Sequence, residues 1–230
     1  MKIGILGTGG VGQTLASKLA GLGHEVMMGT RDAAKTMANT ASGPRGQPPF
    51  SAWLKQNPIV RLGDYAEAAR HGEIVINATN GTGSLAALRQ AGSNNLNGKI
   101  LLDVANPLDF SKGMPPTLSV CNTDSLGEQI QREYPYVKVV KTLNTVTAGV
   151  MVNPRQVADG DHTLFVSGND PEAKAQVVAW LTTWFGWRHI IDLGDITTAR
   201  GAEMYLPVWL RLLGALGNGM FNIKVVTAKS

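Results

Sequence analysis

The glycine-rich loop at residues 7–12, Gly-Thr-Gly-Gly-Val-Gly, is the feature that most constrains the fold of this chain. It follows a short apolar run, Lys2–Leu6, and precedes a segment in which apolar residues recur every three to four positions. A strand, a G-x-G-x-x-G loop and an amphipathic helix in this order are typical of a dinucleotide-binding unit. Gly7 suits the tight turn, Gly9 the approach of a pyrophosphate and Gly12 close helix packing. A glycine-rich turn without a ligand is the alternative.

Strand-length apolar runs alternate with helical patterns along the chain, which predicts an α/β fold. We expect a doubly wound Rossmann-type parallel sheet with a small C-terminal lobe. The boundaries are residues 1–146 for an NADP-binding domain and 147–230 for an α/β lobe that completes the active-site cleft. The predicted strands are Lys2–Leu6, Glu25–Gly29, Ile59–Leu62, Glu73–Asn77, Lys99–Val104, Lys138–Leu143, Thr163–Ser167 and Ile190–Leu193.

Two segments interrupt this alternation. Asn39–Pro58 is rich in glycine and proline, and we interpret it as a surface loop or, through Phe50 and Trp53, as a lid or subunit-contact arm. Asn106–Asn122 follows the fifth strand, on the sheet edge where open α/β sheets bind ligands.

The last part of the chain predicts a helix interrupted at Pro207, with Leu206, Trp209, Leu213 and Leu216 facing inward and Trp209 a candidate for the cleft. The residues after Asn144 are too few for a full helical substrate domain. We therefore predict a homodimer formed partly by this helix and the tail.

The end of the second strand indicates the cofactor. It reads Gly29-Thr30-Arg31, where NAD-binding proteins usually place an acidic residue. The hydroxyl of Thr30, the guanidinium of Arg31 and the ammonium of Lys35 suit the 2′-phosphate of NADP. NAD stays open as the alternative cofactor, since the carboxylate of Asp32 reaches the ribose if Arg31 points away.

The later strand ends carry small, neutral residues. They read Ala78-Thr79-Asn80-Gly81, Ala105-Asn106-Pro107 and Asn144-Thr145-Val146, and none offers the proton donor of a typical alcohol dehydrogenase. We interpret the four histidines and Lys141 as structural residues and Cys121 as a packed thiol. We predict no catalytic acid or base and no metal site.

Longer stretches of the chain resemble the NADPH-dependent reductases of the deazaflavin coenzyme F-420 (F420). The resemblance rests on Ile3–Arg31, Val139–Thr145, Val166–Asp170 and Asn222–Lys224, and so spans nearly the whole sequence. It implies direct hydride transfer between NADP and an 8-hydroxy-5-deazaflavin, two flat rings that the protein stacks face to face.

The resemblance also implies which residues bind the cofactor. Thr8, Gly9, Gly10 and Val11 would contact the pyrophosphate, and Thr30, Arg31 and Lys35 the 2′-phosphate. Thr79, Gly83, Asn106 and Ala148 would line the nicotinamide end, with Phe221 closing the site.

The sequence departs from that family on the side of the second substrate. Asn39–Pro58 is longer than in compact members, and Asn80-Gly81 and Asn144 stand where the family carries other residues. An ordinary flavin or a small imine or carbonyl compound therefore stays open as the hydride acceptor. A non-catalytic NADP-binding sensor is the alternative from another class.

Composition excludes other classes of function. The 21 Lys and Arg residues are scattered, so that the net charge of +4 forms no basic stripe for nucleic acid. The longest apolar tract, Leu206–Leu216, is too short to span a membrane. The single cysteine and the expected absence of a signal peptide favour the cytoplasm.

Overall fold

One eight-stranded sheet organises the protein. The computed structural model describes residues 1–43 and 46–228, so the Asn39–Pro58 excursion between β2 and β3 is described without Pro44 and Arg45, and the predicted lobe without Lys229 and Ser230. The strands of the sheet lie in the order β10-β9-β8-β5-β4-β1-β2-β3, and β6 and β7 form a separate hairpin. The bounds are β1 Lys2–Leu6, β2 Glu25–Thr30, β3 Arg61–Asp64, β4 Ile74–Asn77, β5 Ile100–Asp103, β6 Leu108–Asp109, β7 Thr117–Leu118, β8 Lys138–Thr142, β9 Thr163–Ser167 and β10 His189–Asp192.

Helices cover both faces of the sheet. Their bounds are α1 Gly10–Gly21, α2 Ala33–Ala38, α3 Phe50–Gln56, α4 Tyr65–His71, α5 Gly81–Ala91, α6 Ser93–Leu96, α7 Leu126–Glu133, α8 Ala148–Val152, α9 Pro171–Trp180, α10 Ala199–Met204 and α11 Leu206–Leu216. A π-helical turn, Leu181–Phe185, extends α9. The interruption expected at Pro207 separates α10 from α11.

The doubly wound α/β fold is confirmed. Within the eight-stranded sheet, neighbouring strands pair in parallel except β8 and β9, which are antiparallel. The two C-terminal strands, β9 and β10, extend the same sheet. The chain runs outward from β1 to β3 and then returns to place β4 on the other side of β1. That reversal opens a crevice beyond the carboxyl ends of β1 and β4, where such sheets bind ligands.

Alternation along the buried strands builds a core on each face of the sheet. Ile3 and Ile5 pack with Leu15 of α1 on one face. Leu6 packs with Ile130 of α7 on the other. The two cores fix the edge of the sheet at which β1, β4, β5 and β8 end.

Three sequence predictions about burial are wrong. Leu216 is 54% exposed, because α11 lies on the surface, where Val208 is also 55% exposed. Cys121 is exposed, since it lies in the surface loop after β7. Phe50 is buried in the main core and Trp53 packs beside it, so these two side chains do not form an outward arm.

Candidate functional site

The glycine-rich loop joins β1 to α1 with contacts that require glycine. Gly7 has a φ of 116°, and a Cβ there would lie 2.5 Å from the carbonyl oxygen of Ala78. A Cβ on Gly12 would overlap the carbonyl oxygen of Gly7. The backbone of Gly7 also donates a hydrogen bond to Gly29 at the end of β2, with an N···O distance of 2.9 Å. The loop is therefore held between β1, β2 and β4.

The N-terminus of α1 suits an anion. Among the described residues, no side chain caps this helix and none in its first turn is acidic, whereas Asp32, Asp64, Ser125 and Asp170 cap α2, α4, α7 and α9. No described atom lies within 4 Å of a Cβ built on the exposed Gly9. Unpaired N–H groups at a helix start, with open space before them, match a pyrophosphate.

The end of β2 carries the residues expected to bind a 2′-phosphate. Arg31 and Lys35 are both exposed, and the hydroxyl of the buried Thr30 lies 2.9 Å from that of Thr36. The carboxylate of Asp32 accepts a hydrogen bond from the backbone N–H of Lys35 at 2.8 Å and so caps α2. One oxygen of the Asp32 carboxylate is thus engaged within the protein.

Sequence reasoning missed Tyr65, which begins α4 beside the end of β2. Burial raises the pKa of Tyr65, and the positive charge of nearby Arg31 partly opposes that rise. A half-buried aromatic ring next to Arg31 offers a surface for the adenine ring. The sequence signal was its position directly after β3, at the same edge of the sheet.

Two adjoining cavities open beside the glycine loop. The smaller, of 240 Å³, lies at the ends of β4 and β5 and is lined by Thr79 among others. The larger, of 380 Å³ and here called the substrate cavity, lies between the glycine loop, the end of β8 and α11. The residues shared by the two linings are Val11, Val104, Asn106 and Leu108.

The remaining predicted site residues occupy different places around these cavities. Asn106 and Ala148 line the substrate cavity, and Trp209 does so from α11. Phe221 stacks on Trp209 with ring centroids 5.3 Å apart. Gly83 lies one turn into α5, outside both linings.

A buried hydrogen-bond network supports Thr79. The Thr79 hydroxyl donates to Asn77 Oδ1 at 2.7 Å and lies 2.8 Å from the hydroxyl of Ser84. Asn77 Nδ2 in turn donates to Asp103 Oδ1 at 2.8 Å. Because the Asp103 carboxylate is an acceptor, it fixes the orientation of the Asn77 amide. The network therefore holds Thr79 at the cavity edge.

A buried ion cluster formed by Asp103, Lys141 and Glu203 lies behind the cavities, and sequence reasoning missed it. Lys141 Nζ is 2.9 Å from Asp103 Oδ2 and 2.8 Å from Glu203 Oε1. Burial alone would lower the pKa of Lys141, but the two carboxylates outweigh it and the pKa is raised. Lys141 is therefore a charged structural residue, as its position inside an apolar strand indicates.

The substrate cavity is neutral. Its lining, taken over the described residues, contains no titratable side chain. His162 is buried against Trp187, the half-buried His24 lies against Trp184, and His71 contacts the backbone of Glu25, all outside the substrate cavity. The described residues also contain no group of three His, Cys, Asp or Glu side chains placed to hold a metal ion. This cavity can position rings but carries no acid or base of its own.

The Asn39–Pro58 excursion brings Gln47 to the glycine loop. A Cβ built on Gly10 would lie 3.2 Å from Gln47 Nε2, and Gln47 lines the substrate cavity. Beyond it, α3 is anchored through Asn57, whose Oδ1 accepts a hydrogen bond from Ser17 at 2.8 Å. The second half of the excursion is thus packed on α1 and contributes a polar side chain to the site.

Known proteins resemble this chain in sequence and in fold. The family model described as NADP oxidoreductase, coenzyme F420-dependent, matches residues 2–107. A crystal structure of a proposed F420-dependent NADP reductase from Arthrobacter sp. FB24 shares 59% sequence identity and superposes with a TM-score of 0.94, covering 99% of this chain and 100% of that one.

Two curated relatives are more distant. The F420-dependent NADP reductase of Methanothermobacter marburgensis is 26% identical over 92% of each chain. The rat protein Metalloreductase STEAP3 is 27% identical over 90% of this chain, which spans 38% of the length of that relative. No helix within residues 1–43 and 46–228 of the present chain is both long and apolar enough to cross a bilayer.

The fold is shared more widely. A reductive aminase from Aspergillus terreus, solved with NADPH, superposes with a TM-score of 0.62 at 16% identity, covering 93% of this chain and 62% of the aminase. At this identity the likeness concerns the fold alone.

Proposed function

Since this chain belongs to the coenzyme F420-dependent NADP oxidoreductase family, we propose that it transfers a hydride directly between NADPH and F420. The reaction moves one hydride from the nicotinamide to a ring carbon of the deazaflavin and takes one proton from water. The protein has to bind two flat rings at reacting distance and to exclude other acceptors from the space between them.

The nucleotide side of the proposal rests on the glycine loop and the end of β2. The uncapped start of α1 would hold the pyrophosphate, with open space before Gly9. Arg31 and Lys35 would pair with the 2′-phosphate through charge-assisted hydrogen bonds, while Asp32 is engaged in capping α2. These features favour NADP over NAD.

One observation carries the proposal on the acceptor side. A cavity that adjoins the glycine loop at Gly10 and Val11 has, among the described residues, no titratable lining side chain. Reduction of a carbonyl or an imine benefits from a positioned proton donor at the reacting group. Hydride transfer to the ring carbon of a deazaflavin needs no such donor there, so a neutral cavity is sufficient.

The test is turnover by the purified protein with NADPH and F420, with FMN, FAD and a small cyclic imine as alternative acceptors. We expect F420 to be reduced much faster than the other acceptors. Preference for FMN or FAD would assign an ordinary flavin as the substrate. Tight NADPH binding without oxidation by any of the four acceptors would favour a sensor.

Isotope labelling tests whether the transfer is direct. NADPH deuterated on either face of C4 should, with one of the two labels, give reduced F420 that carries one deuterium, even in ordinary water. The matched experiment uses unlabelled NADPH in heavy water and should leave the transferred position unlabelled. Label arriving from the solvent would contradict direct transfer.

A further inference from the structure

Asn144 is a buried polar residue at the wall of the substrate cavity. It follows the end of β8, is 3% exposed and lines the cavity. The residue before it, Leu143, has a φ of 61°, a left-handed conformation that is strained for a branched side chain. This turn directs Asn144 toward the carboxyl end of β5.

Hydrogen bonds fix the orientation of the Asn144 amide. Its Nδ2 donates to Asn106 Oδ1 at 3.0 Å and to the backbone oxygen of Ala202 at 3.1 Å. Asn106 Nδ2 donates to the backbone oxygen of Asn144 at 2.8 Å, which fixes the Asn106 amide as well. A flipped Asn144 amide would place its oxygen against two acceptors. Both hydrogens of Asn144 Nδ2 are therefore used within the protein.

The carbonyl oxygen of the same amide takes no part in these hydrogen bonds. Asn144 Oδ1 has no hydrogen-bond partner within residues 1–43 and 46–228. This oxygen is not fully enclosed by the protein, so it stays accessible from the cavity to a ligand that supplies a hydrogen. The other amide at the same wall, Asn106, uses its oxygen to bind Asn144.

We propose that Asn144 Oδ1 accepts a hydrogen bond from an amide-type N–H of the ring that occupies the substrate cavity. This inference rests on the proposed function, which supplies two groups of that chemistry. One is the carboxamide NH₂ of the nicotinamide, and the other is the imide N–H of the deazaflavin pyrimidine ring. Asn144 thereby selects a ring that presents such a donor, and it fixes the orientation of that ring about the axis perpendicular to the ring plane.

The surroundings of Asn144 suit a flat ring. Val146 and Met151 supply apolar surface on the β8 side of the cavity. Trp209 borders it from α11, stacked on Phe221 at an interplanar angle of 28°. Between these surfaces, a single directional acceptor is enough to fix the orientation of a ring.

The test measures binding by calorimetry with paired ligands. The first pair is NADP⁺ and its 3-acetylpyridine analogue, in which a methyl group replaces the carboxamide NH₂. The second pair is F420 and its derivative methylated at the imide nitrogen. In the native protein, we expect the analogue of one pair to bind roughly 2- to 12-fold more weakly, the range of one neutral hydrogen bond. The pair that discriminates identifies the ring.

The variant Asn144→Leu, of similar size and without the acceptor, should bind both members of that pair equally. Asn94→Leu, the same change at an exposed position of α6, is the matched control and should keep the discrimination. Equal binding of both members of each pair by the native protein would reject the role of Asn144 even when Asn144→Leu fails to fold.

Two results would overturn the inference. One is a native protein that binds both members of each pair equally, and the other is an Asn144→Leu protein that still discriminates. The nicotinamide pair needs no turnover, so a failure of F420 reduction leaves this arm interpretable. Conversely, F420 turnover without discrimination would reject the role of Asn144 and leave the proposed function standing.

Discussion

The glycine-rich loop and the last helix differ in what surrounds the same type of residue. In the loop, a side chain on Gly7 or Gly12 would meet the backbone of Ala78 or Gly7. In α11, no described atom lies within 4 Å of a Cβ built on Gly214. The contacts of the loop are complete within one chain, whereas α11 exposes Val208 and Leu216 to more than half of their area.

This difference separates two kinds of constraint. The nucleotide half, from β1 to β5, is specified by close backbone contacts that another residue would break. The C-terminal segment, from α11 to the tail, has apolar surface for which one chain provides no cover. The proposed cofactor therefore meets a preformed surface, and the second ring meets a wall that depends on how α11 is held.

The largest effect is expected where Lys141 joins Asp103 of β5, at the end of the nucleotide half, to Glu203 of α10, the helix directly before α11. Lys141→Met should lower the free energy of unfolding by about 3–5 kcal/mol, because it leaves two buried carboxylates without a counter-charge. Urea denaturation at neutral pH measures this loss. The raised pKa of Lys141 means that the native contribution is present at neutral pH and is lost only as the pH rises through that value.

The control for Lys141→Met is Arg89→Met. Arg89 pairs with Glu133 at 2.7 Å, but its side chain is 64% exposed. An exposed pair contributes little to stability, so this variant should unfold at nearly the native urea concentration. Equal losses in the two variants would show that burial of the Lys141 cluster is not what makes it stabilising.

The sequence predicts the nucleotide half well because its signals are local. Three signals fall within about thirty positions, and each has its own structural requirement. They are the six residues of the glycine loop, the apolar periodicity of α1 and the residues after β2. The alternation of strands and helices predicts a parallel sheet with helices on its faces.

The Lys141 cluster could not be predicted in the same way, since its members are separated by 38 and more positions and meet only through the fold. A charged residue inside an apolar strand was the available signal. The prediction that Leu216 faces inward is wrong because periodicity shows that a helix has an apolar side and does not show what covers that side. The prediction that Cys121 is a packed thiol is wrong for a similar reason, since an apolar neighbour, Val120, does not ensure burial in a loop.

The next largest effect concerns the nucleotide half. Arg31→Ala should weaken NADPH binding roughly ten- to hundredfold, the size of charge-assisted hydrogen bonds to a phosphate, and should leave NADH binding unchanged. Calorimetric titration with both nucleotides measures the difference. Arg70→Ala, which removes an exposed arginine near the end of α4, is the matched control. Equal loss of NADPH and NADH affinity in Arg31→Ala would place the 2′-phosphate elsewhere.

A smaller effect is expected on the C-terminal segment. If a second copy of the chain covers α11, the native protein is a dimer and Leu216→Glu dissociates it, because a carboxylate would be buried at the contact. Light scattering at micromolar concentration gives the mass. Ile59→Glu, at another exposed apolar position, should remain dimeric. A native monomer would show that α11 is not a subunit contact.

The smallest effect compares two glycines that both have open space. Gly214→Ala should raise the free energy of unfolding by about 0.5–1 kcal/mol, since alanine stabilises a helix interior. Gly9→Ala should leave stability nearly unchanged, because φ at Gly9 is −74° and no described atom lies within 4 Å of the new Cβ. The same Cβ would occupy the space before the N-terminus of α1 and weaken NADPH binding. A Gly9→Ala protein with native affinity would show that the pyrophosphate does not lie there, and a destabilised Gly214→Ala protein would show that another molecule packs closely against α11.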